Sequence, residues 1–229
     1  MHHLVVEGWS RGSSPLHARD ARAKLGALLA LLIAISTTPV SSQRMFYAYA
    51  FLIAAAAGIG RLPLIALLRR AMLLLPFVAT FALITWWSGD PERAFALFEK
   101  SFLSGLAALI LIATTPMNQL LRGLESLAVP RALILVIQFL YRYLFVISEQ
   151  AQHMRMAARA RGSGFRSAAG ALGVLFARSW ERADAVYRAM LARGFTGRFA
   201  TLAPSRFGFT DAAFLCAVTA AVIGIRLAL

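Results

Sequence analysis

Two tripeptides of the same composition, Ala160-Arg161-Gly162 and Ala192-Arg193-Gly194, stand 32 residues apart in the chain. Each follows a run of helical periodicity, the first opening near Pro130 and the second near Ser179. The glycine supplies the left-handed residue that stops a helix, so the arginine rides in the last turn, at the negative end of the helix dipole. A guanidinium held there can grip a carboxylate through two parallel hydrogen bonds, which an ammonium cannot copy. The chain has 22 Arg and only 2 Lys, a bias that fits recognition of an acidic pocket on a partner. A single Ala-Arg-Gly would be an ordinary C-capped helix with its arginine on anionic lipid, whereas the pair favours two docking tips. Arg159 beside the first tip, and Trp180, Arg182, Tyr187 and Met190 before the second, are the supporting candidates. On the second helix Phe176, Trp180, Ala183, Tyr187, Met190 and Leu191 share one side, while Arg178, Glu181, Arg182 and Arg188 take the other.

Catalytic and metal chemistry find no comparable support. His2, His3, His17 and His153 are scattered without metal-ligand spacing, and no serine or cysteine sits in a nucleophile motif. The single cysteine, Cys216, lies in an apolar run and builds neither a disulfide framework nor a metal site. His153 is expected to pair with Glu149 one turn earlier, and Asp211 to cap or charge the first turn of the last helix. No catalytic residue and no metal ligand is assigned. A self-sufficient carrier or channel would need polar groups at mid-membrane, and the apolar runs offer few beyond Thr80, Thr85 and Ser104. Nucleic-acid binding is disfavoured because no basic-aromatic groove pattern accompanies the arginines.

The elements that must carry the two tips lie in a membrane. Of the 229 residues, 59% are hydrophobic and 15% charged, with a mean hydropathy of +0.68, and a soluble domain of this size would not stay dissolved. Apolar runs at 25–41, 45–60, 64–87, 101–115, 131–147 and 210–229 approach the length needed to cross about 30 Å of hydrocarbon. Arg69 and Arg70 can snorkel to the headgroups, and Trp86 and Trp87 suit the opposite interface. Six crossings from a cytoplasmic N-terminus would put the region beyond Glu149 outside, against the preference of Lys and Arg for the cytoplasmic face. The run 131–147 is therefore read as a membrane-hugging helix, since Gln138, Tyr141, Arg142 and Tyr143 crowd its second half and the helical pattern continues to about Arg161. Residues 116–206 hold 13 Arg against four acidic residues. The expectation is an all-α integral membrane protein with about five transmembrane helices and a cytoplasmic domain of long amphipathic helices. Its parts are a retained cytoplasmic segment 1–24, four spans in 25–115, the cytoplasmic domain 116–206 and a last span in 207–229, with the acidic-leaning stretch 88–100 as an outer loop. Pro130 and Pro204 punctuate the cytoplasmic part.

The sequence resembles the transmembrane component of energy-coupling factor transporters, the CbiQ/EcfT family, over nearly its whole length. The residues that carry the resemblance are Ser14-Pro15-Leu16-His17 through Asp20-Ala21-Arg22-Ala23-Lys24-Leu25, Leu121-Arg122-Gly123-Leu124 to Val129-Pro130, Tyr141-Arg142-Tyr143, and the two Ala-Arg-Gly tips. Most telling is the block from Phe176 whose Arg-Gly-Phe-x-Gly-Arg ending closes at Arg198 and looks most like members serving cobalt or nickel uptake. Ala21 departs from the proline common in the family, which weakens only the expected start of the first helix. The resemblance implies that Arg161 and Arg193 end two coupling helices, each seated in a groove on one of two ATP-binding-cassette subunits (CbiO-like). It also implies a substrate-binding membrane subunit (CbiM-like, with or without a small CbiN-like subunit), ATP and Mg bound only by the ATPase partners, and no cofactor on this chain. The implied location is the bacterial cytoplasmic (inner) membrane, multi-pass, with the N-terminus inside. Vitamin-carrying members share this plan, and an intramembrane enzyme or stand-alone carrier is the more distant alternative.

Overall fold

The computed structural model describes residues 12–127, 129–162, 167–196 and 207–228. His2, His3, Arg11, Gly197, Arg198 and Pro204 lie outside them. Among the described residues all regular structure is helical: α1 Ala21–Thr37, α2 Gln43–Ile59, α3 Leu64–Ala71, α4 Leu75–Trp87, α5 Pro91–Thr114, α6 Met117–Ser126, α7 Arg131–Ala160, α8 Ser167–Ala192 and α9 Phe209–Ala228. Two compact units result, one of Met1–Leu127 with Ser205–Leu229 and one of Ala128–Pro204.

The first unit is a bundle whose core joins Leu31 and Ile35 of α1, Tyr49 and Ile53 of α2, and Leu103 and Ile110 of α5. α1 starts where Asp20 accepts a hydrogen bond from the Arg22 N–H at 2.9 Å, so the N-cap forms without a proline behind it. Lys24, the last residue of the expected cytoplasmic segment 1–24, is buried. Its Nζ donates to the Thr114 carbonyl at 2.9 Å and the Thr115 hydroxyl at 3.3 Å, satisfying the C-terminal end of α5. Lys100, nine residues into α5, donates to the Ser36 and Thr38 carbonyls at 2.9 and 2.7 Å, capping the far end of α1. Contacts at both ends in opposite order make α1 and α5 antiparallel. The carboxylate of Asp211, in the first turn of α9 as expected, accepts from the Gly208 and Asp20 N–H groups, each at 3.0 Å. At the other end Arg226 of α9 donates to the Thr37 hydroxyl at 2.6 Å, so α9 runs parallel to α1. Residues 20, 115 and 208 therefore share one end of the bundle.

The first, second and last expected spans match α1, α2 and α9 to within a few residues. The stretch 88–100 does not: α5 begins at Pro91, behind Asp90 and with Glu92 in its first turn, so most of the expected loop is helix. Proline at the first helical position with an acid beside it is a start signal that the charge count had obscured. The run 64–87 is two helices bent by 52° around a 3₁₀ turn at Met72–Leu74. Pro76 explains the break, because it offers no N–H to the Met72 carbonyl and its ring crowds that turn. α5, α9 and residues Ala132–Ala160 of α7 are each long and apolar enough to cross a membrane, as is the bent α3–α4 pair taken together. α1 and α2, at 17 residues each, meet the lower limit of about 17 for a span. The run 131–147, expected as a membrane-hugging helix, lies within a helix that has the length and composition of a span. The chain is thus an all-α, multi-pass membrane protein.

Two substitutions test this packing. Lys24→Met strands the Thr114 carbonyl and should cost about 1–3 kcal/mol, measured as a lower melting temperature in detergent. A melting point equal to that of the parent would show that the ammonium is dispensable. At Gly123 of α6, an added Cβ would meet Leu25 Cδ1 at 3.0 Å and Ala21 Cβ at 3.3 Å on α1. Gly123→Val should overpack this junction and cost about 1–3 kcal/mol, again as lost thermal stability, and an unchanged melting point would place α6 elsewhere.

Candidate functional site

In the second unit α7 ends at Ala160 and Arg161 is its C-cap, the Arg161 N–H reaching the Ala157 and Ala158 carbonyls at 3.3 and 3.2 Å. Gly162 follows with φ +67° and donates its N–H to the Arg159 carbonyl at 3.0 Å. α8 closes the same way: the Arg193 N–H bonds Ala189 and Met190, and Gly194 takes φ +74°. Here the Gly194 N–H also reaches Leu191 at 2.9 Å and the Phe195 N–H reaches Met190 at 3.0 Å, completing a Schellman turn. An added Cβ meets nothing within 4 Å at either glycine, so the requirement is for the backbone angle and not for space. Each arginine sits one residue further out than the last turn, is exposed, and has no side-chain partner among the described residues. Gly194→Val, strained at positive φ, should unwind this tip at a cost of about 1–3 kcal/mol, read as faster amide exchange over the last turn of α8. Protection matching the parent would argue against the left-handed stop.

α8 begins at Ser167, not near Ser179. The small residues Ala168, Ala169, Gly170 and Gly173 hid that first part of the helix from a reading based on apolar periodicity. α7 and α8 pack on each other and enclose a groove of about 410 Å³ lined by Phe139, Leu140, Tyr143, Ile147 and Gln150 from α7 and Ser179, Arg182, Ala183, Val186, Tyr187 and Met190 from α8, with Phe195 at the second tip. Arg182, expected on the polar side, is exposed and also borders this groove. Arg188 makes an ion pair with Asp184 on the exposed side. His153 and Glu149 are both exposed and form no ion pair with each other.

The groove accounts for Met190 and part of Tyr187 but not for the whole apolar side of α8. Phe176, Trp180, Tyr187 and Leu191 remain 71%, 71%, 57% and 50% exposed, and their spacing of four, seven and four residues makes one stripe along the helix. Arg159 is exposed beside Arg161. The two arginines are not gathered into a single pocket. The groove takes in Met190 and Phe195, which flank Arg193, but on α7 it stops at Gln150. Arg161 lies eleven residues further on, about 16 Å along a straight helix. The arrangement presents two separate cationic tips with an apolar stripe leading to the second. Among the described residues no three His, Cys, Asp or Glu side chains gather as metal ligands.

Known proteins supply the family. The family described as cobalt transport protein, CbiQ, matches residues 12–202 of this chain. The cobalt transport protein CbiQ of Rhodobacter capsulatus is 31% identical over 118 residues, which is 49% of this chain and 48% of that protein. An uncharacterised protein of Methanocaldococcus jannaschii is 30% identical over 118 residues, covering 48% of this chain and 44% of its own length. A second from the same organism is 22% identical over 242 aligned residues, covering 93% and 82%. The chain thus spans about half the length of the two relatives it matches at 30% identity or above. The family match takes in both tips, both long helices of the second unit and most of the bundle, and on that ground the chain belongs to the CbiQ cobalt transport protein family.

Proposed function

We propose that the chain is the transmembrane coupling component of an energy-coupling-factor importer, transmitting the motion of two ATP-hydrolysing subunits to a substrate-binding membrane partner, with cobalt or nickel as the cargo. The observation that carries this reading is the pair of unpaired, glycine-stopped arginines at Arg161 and Arg193, too far apart along their helices to serve one pocket. Two tips suit two grooves, one on each subunit of an ATPase dimer, with an acidic residue in each groove as partner. Continuous helix from Arg131 to Ala160 supplies the stiffness that a lever requires. Catalysis and ATP binding belong to the partners, and this chain holds no cofactor.

The topology proposed is five crossings with residues 1–24 and 116–206 in the cytoplasm of a bacterial inner-membrane system. It is supported by residues 20, 115 and 208 sharing one end of the bundle, so that the arginine-rich part leaves and re-enters from the same side. A carrier acting alone is less well supported, since Thr80 and Thr85 bond the Phe77 and Phe81 carbonyls of their own helix and line no polar path.

The test is co-expression with a cobalt-type ATPase and a metal-binding membrane subunit, followed by radiolabelled Co²⁺ uptake into vesicles. Uptake that needs this chain and ATP supports the reading. Uptake of a vitamin in place of metal would retain the coupling role and reassign the cargo. Reporter fusions placing Gly162 and Gly194 on the outer face would end the proposal.

A further inference from the structure

The bundle contains a cavity of about 300 Å³ between α1, α2, α5 and α9, at the small end of ligand pockets, which run from roughly 300 to 1,000 Å³. Its walls are apolar, from residues such as Leu28, Leu52, Ala56, Ala107, Phe214 and Val218. The one hydroxyl among them, that of Thr114, is already bonded to the Ile110 carbonyl at 2.8 Å. Water would find no partners along such walls. At one end stand two cations, Lys24 and Arg19. Lys24 is consumed by the carbonyl of Thr114 and the hydroxyl of Thr115, whereas the Arg19 guanidinium has no partner among the described residues. Ile59, also in the lining, is 57% exposed, so the cavity opens beside it at the surface of the bundle.

We infer that this cavity is a binding site for one anionic phospholipid, its acyl chain lying between α1, α2, α5 and α9 and its phosphate on Arg19. The chemistry is complementary at both ends: an apolar slot for the tail, and one unpaired fork of donors for the phosphate oxygens. The narrow apolar walls suit a hydrocarbon chain, and the adjoining guanidinium favours an anionic headgroup over a neutral one. The inference rests on the membrane placement of the bundle and is independent of the ATPase-docking reading.

The test uses the full chain in nanodiscs of phosphatidylcholine doped with phosphatidylglycerol, with lipids retained after gentle detergent release counted by native mass spectrometry. The parent should keep one phosphatidylglycerol in preference to phosphatidylcholine. Arg19→Gln, at a half-buried side chain with no bond among the described residues, should weaken that retention about tenfold, and Ala56→Phe, which fills the slot, should abolish it. Equal retention of the two lipids by the parent, or of phosphatidylglycerol by parent and Arg19→Gln, overturns the assignment. A photo-reactive benzoylphenylalanine at position 52, irradiated in native membranes, is the second measurement. A lipid adduct supports the site, and a protein adduct shows that a partner helix reaches it instead.

Discussion

The double substitution Arg161→Ala with Arg193→Ala is expected to reduce co-purification of the proposed ATPase subunits by at least about a hundredfold, with transport falling alongside. Removing one member of a buried, hydrogen-bonded charge pair strands the other and costs about 3–5 kcal/mol, whereas a pair left at a wet rim is worth about 1 kcal/mol or less. Two buried tips lost together exceed the threshold for stable association even if one is partly solvated. Because both side chains are exposed and make no side-chain bond among the described residues, the doubly substituted protein should insert and melt as the parent does. That separates a docking defect from a folding one. Arg161→Lys with Arg193→Lys should recover only part of the binding, since an ammonium cannot reproduce the bidentate fork. Pull-down and ATP-dependent uptake that match the parent in the alanine pair would reject the role of both arginines.

Trp180→Asp gives the next largest effect, a loss of about 2–4 kcal/mol in ATPase affinity. Trp180 is 71% exposed in the middle of the Phe176, Tyr187 and Leu191 stripe, and a tryptophan so placed acts as the anchor of an interface when a groove closes over it. Titrating detergent-solubilised chain with purified ATPase and following complex formation by fluorescence anisotropy measures the change. An affinity unaltered by Trp180→Asp would assign the stripe to lipid. The same substitution at Arg178, on the other side of α8, should shift affinity by less than about 0.5 kcal/mol.

Local signals were legible in the sequence, and long-range ones were not. The left-handed glycines at 162 and 194 and the unbroken run from Arg131 to Ala160 depend on neighbours within a turn or two, which is where capping and periodicity act. The two tripeptides were found for that reason. Lys24 illustrates the other case. By position it is one more basic residue ahead of the first apolar run, and nothing nearby in the chain reveals that its ammonium is buried against a carbonyl 90 residues away. Asp211 was assigned correctly to the first turn of its helix, yet its second bond, to a backbone amide 191 residues distant, leaves no local trace. On α8 the miss was of a different kind: Ala168, Ala169, Gly170 and Gly173 carry no apolar period, so the start at Ser167 left no signal, while Arg182 is exposed as expected and also borders the groove.

The tie between Asp211 and the amide of Asp20 has a consequence for how the protein is made. The first and last helices lie side by side, held at one end by that bond and at the other by Arg226 on Thr37. During synthesis the ribosome delivers the amino-terminal helix long before its neighbour exists, so one flank of it must wait, unpartnered, while nearly the whole remaining polypeptide emerges. Closure of the bundle is therefore the final act of assembly. Truncation just ahead of residue 207 should leave an inserted but protease-sensitive intermediate, and supplying the terminal helix as a separate peptide should restore resistance.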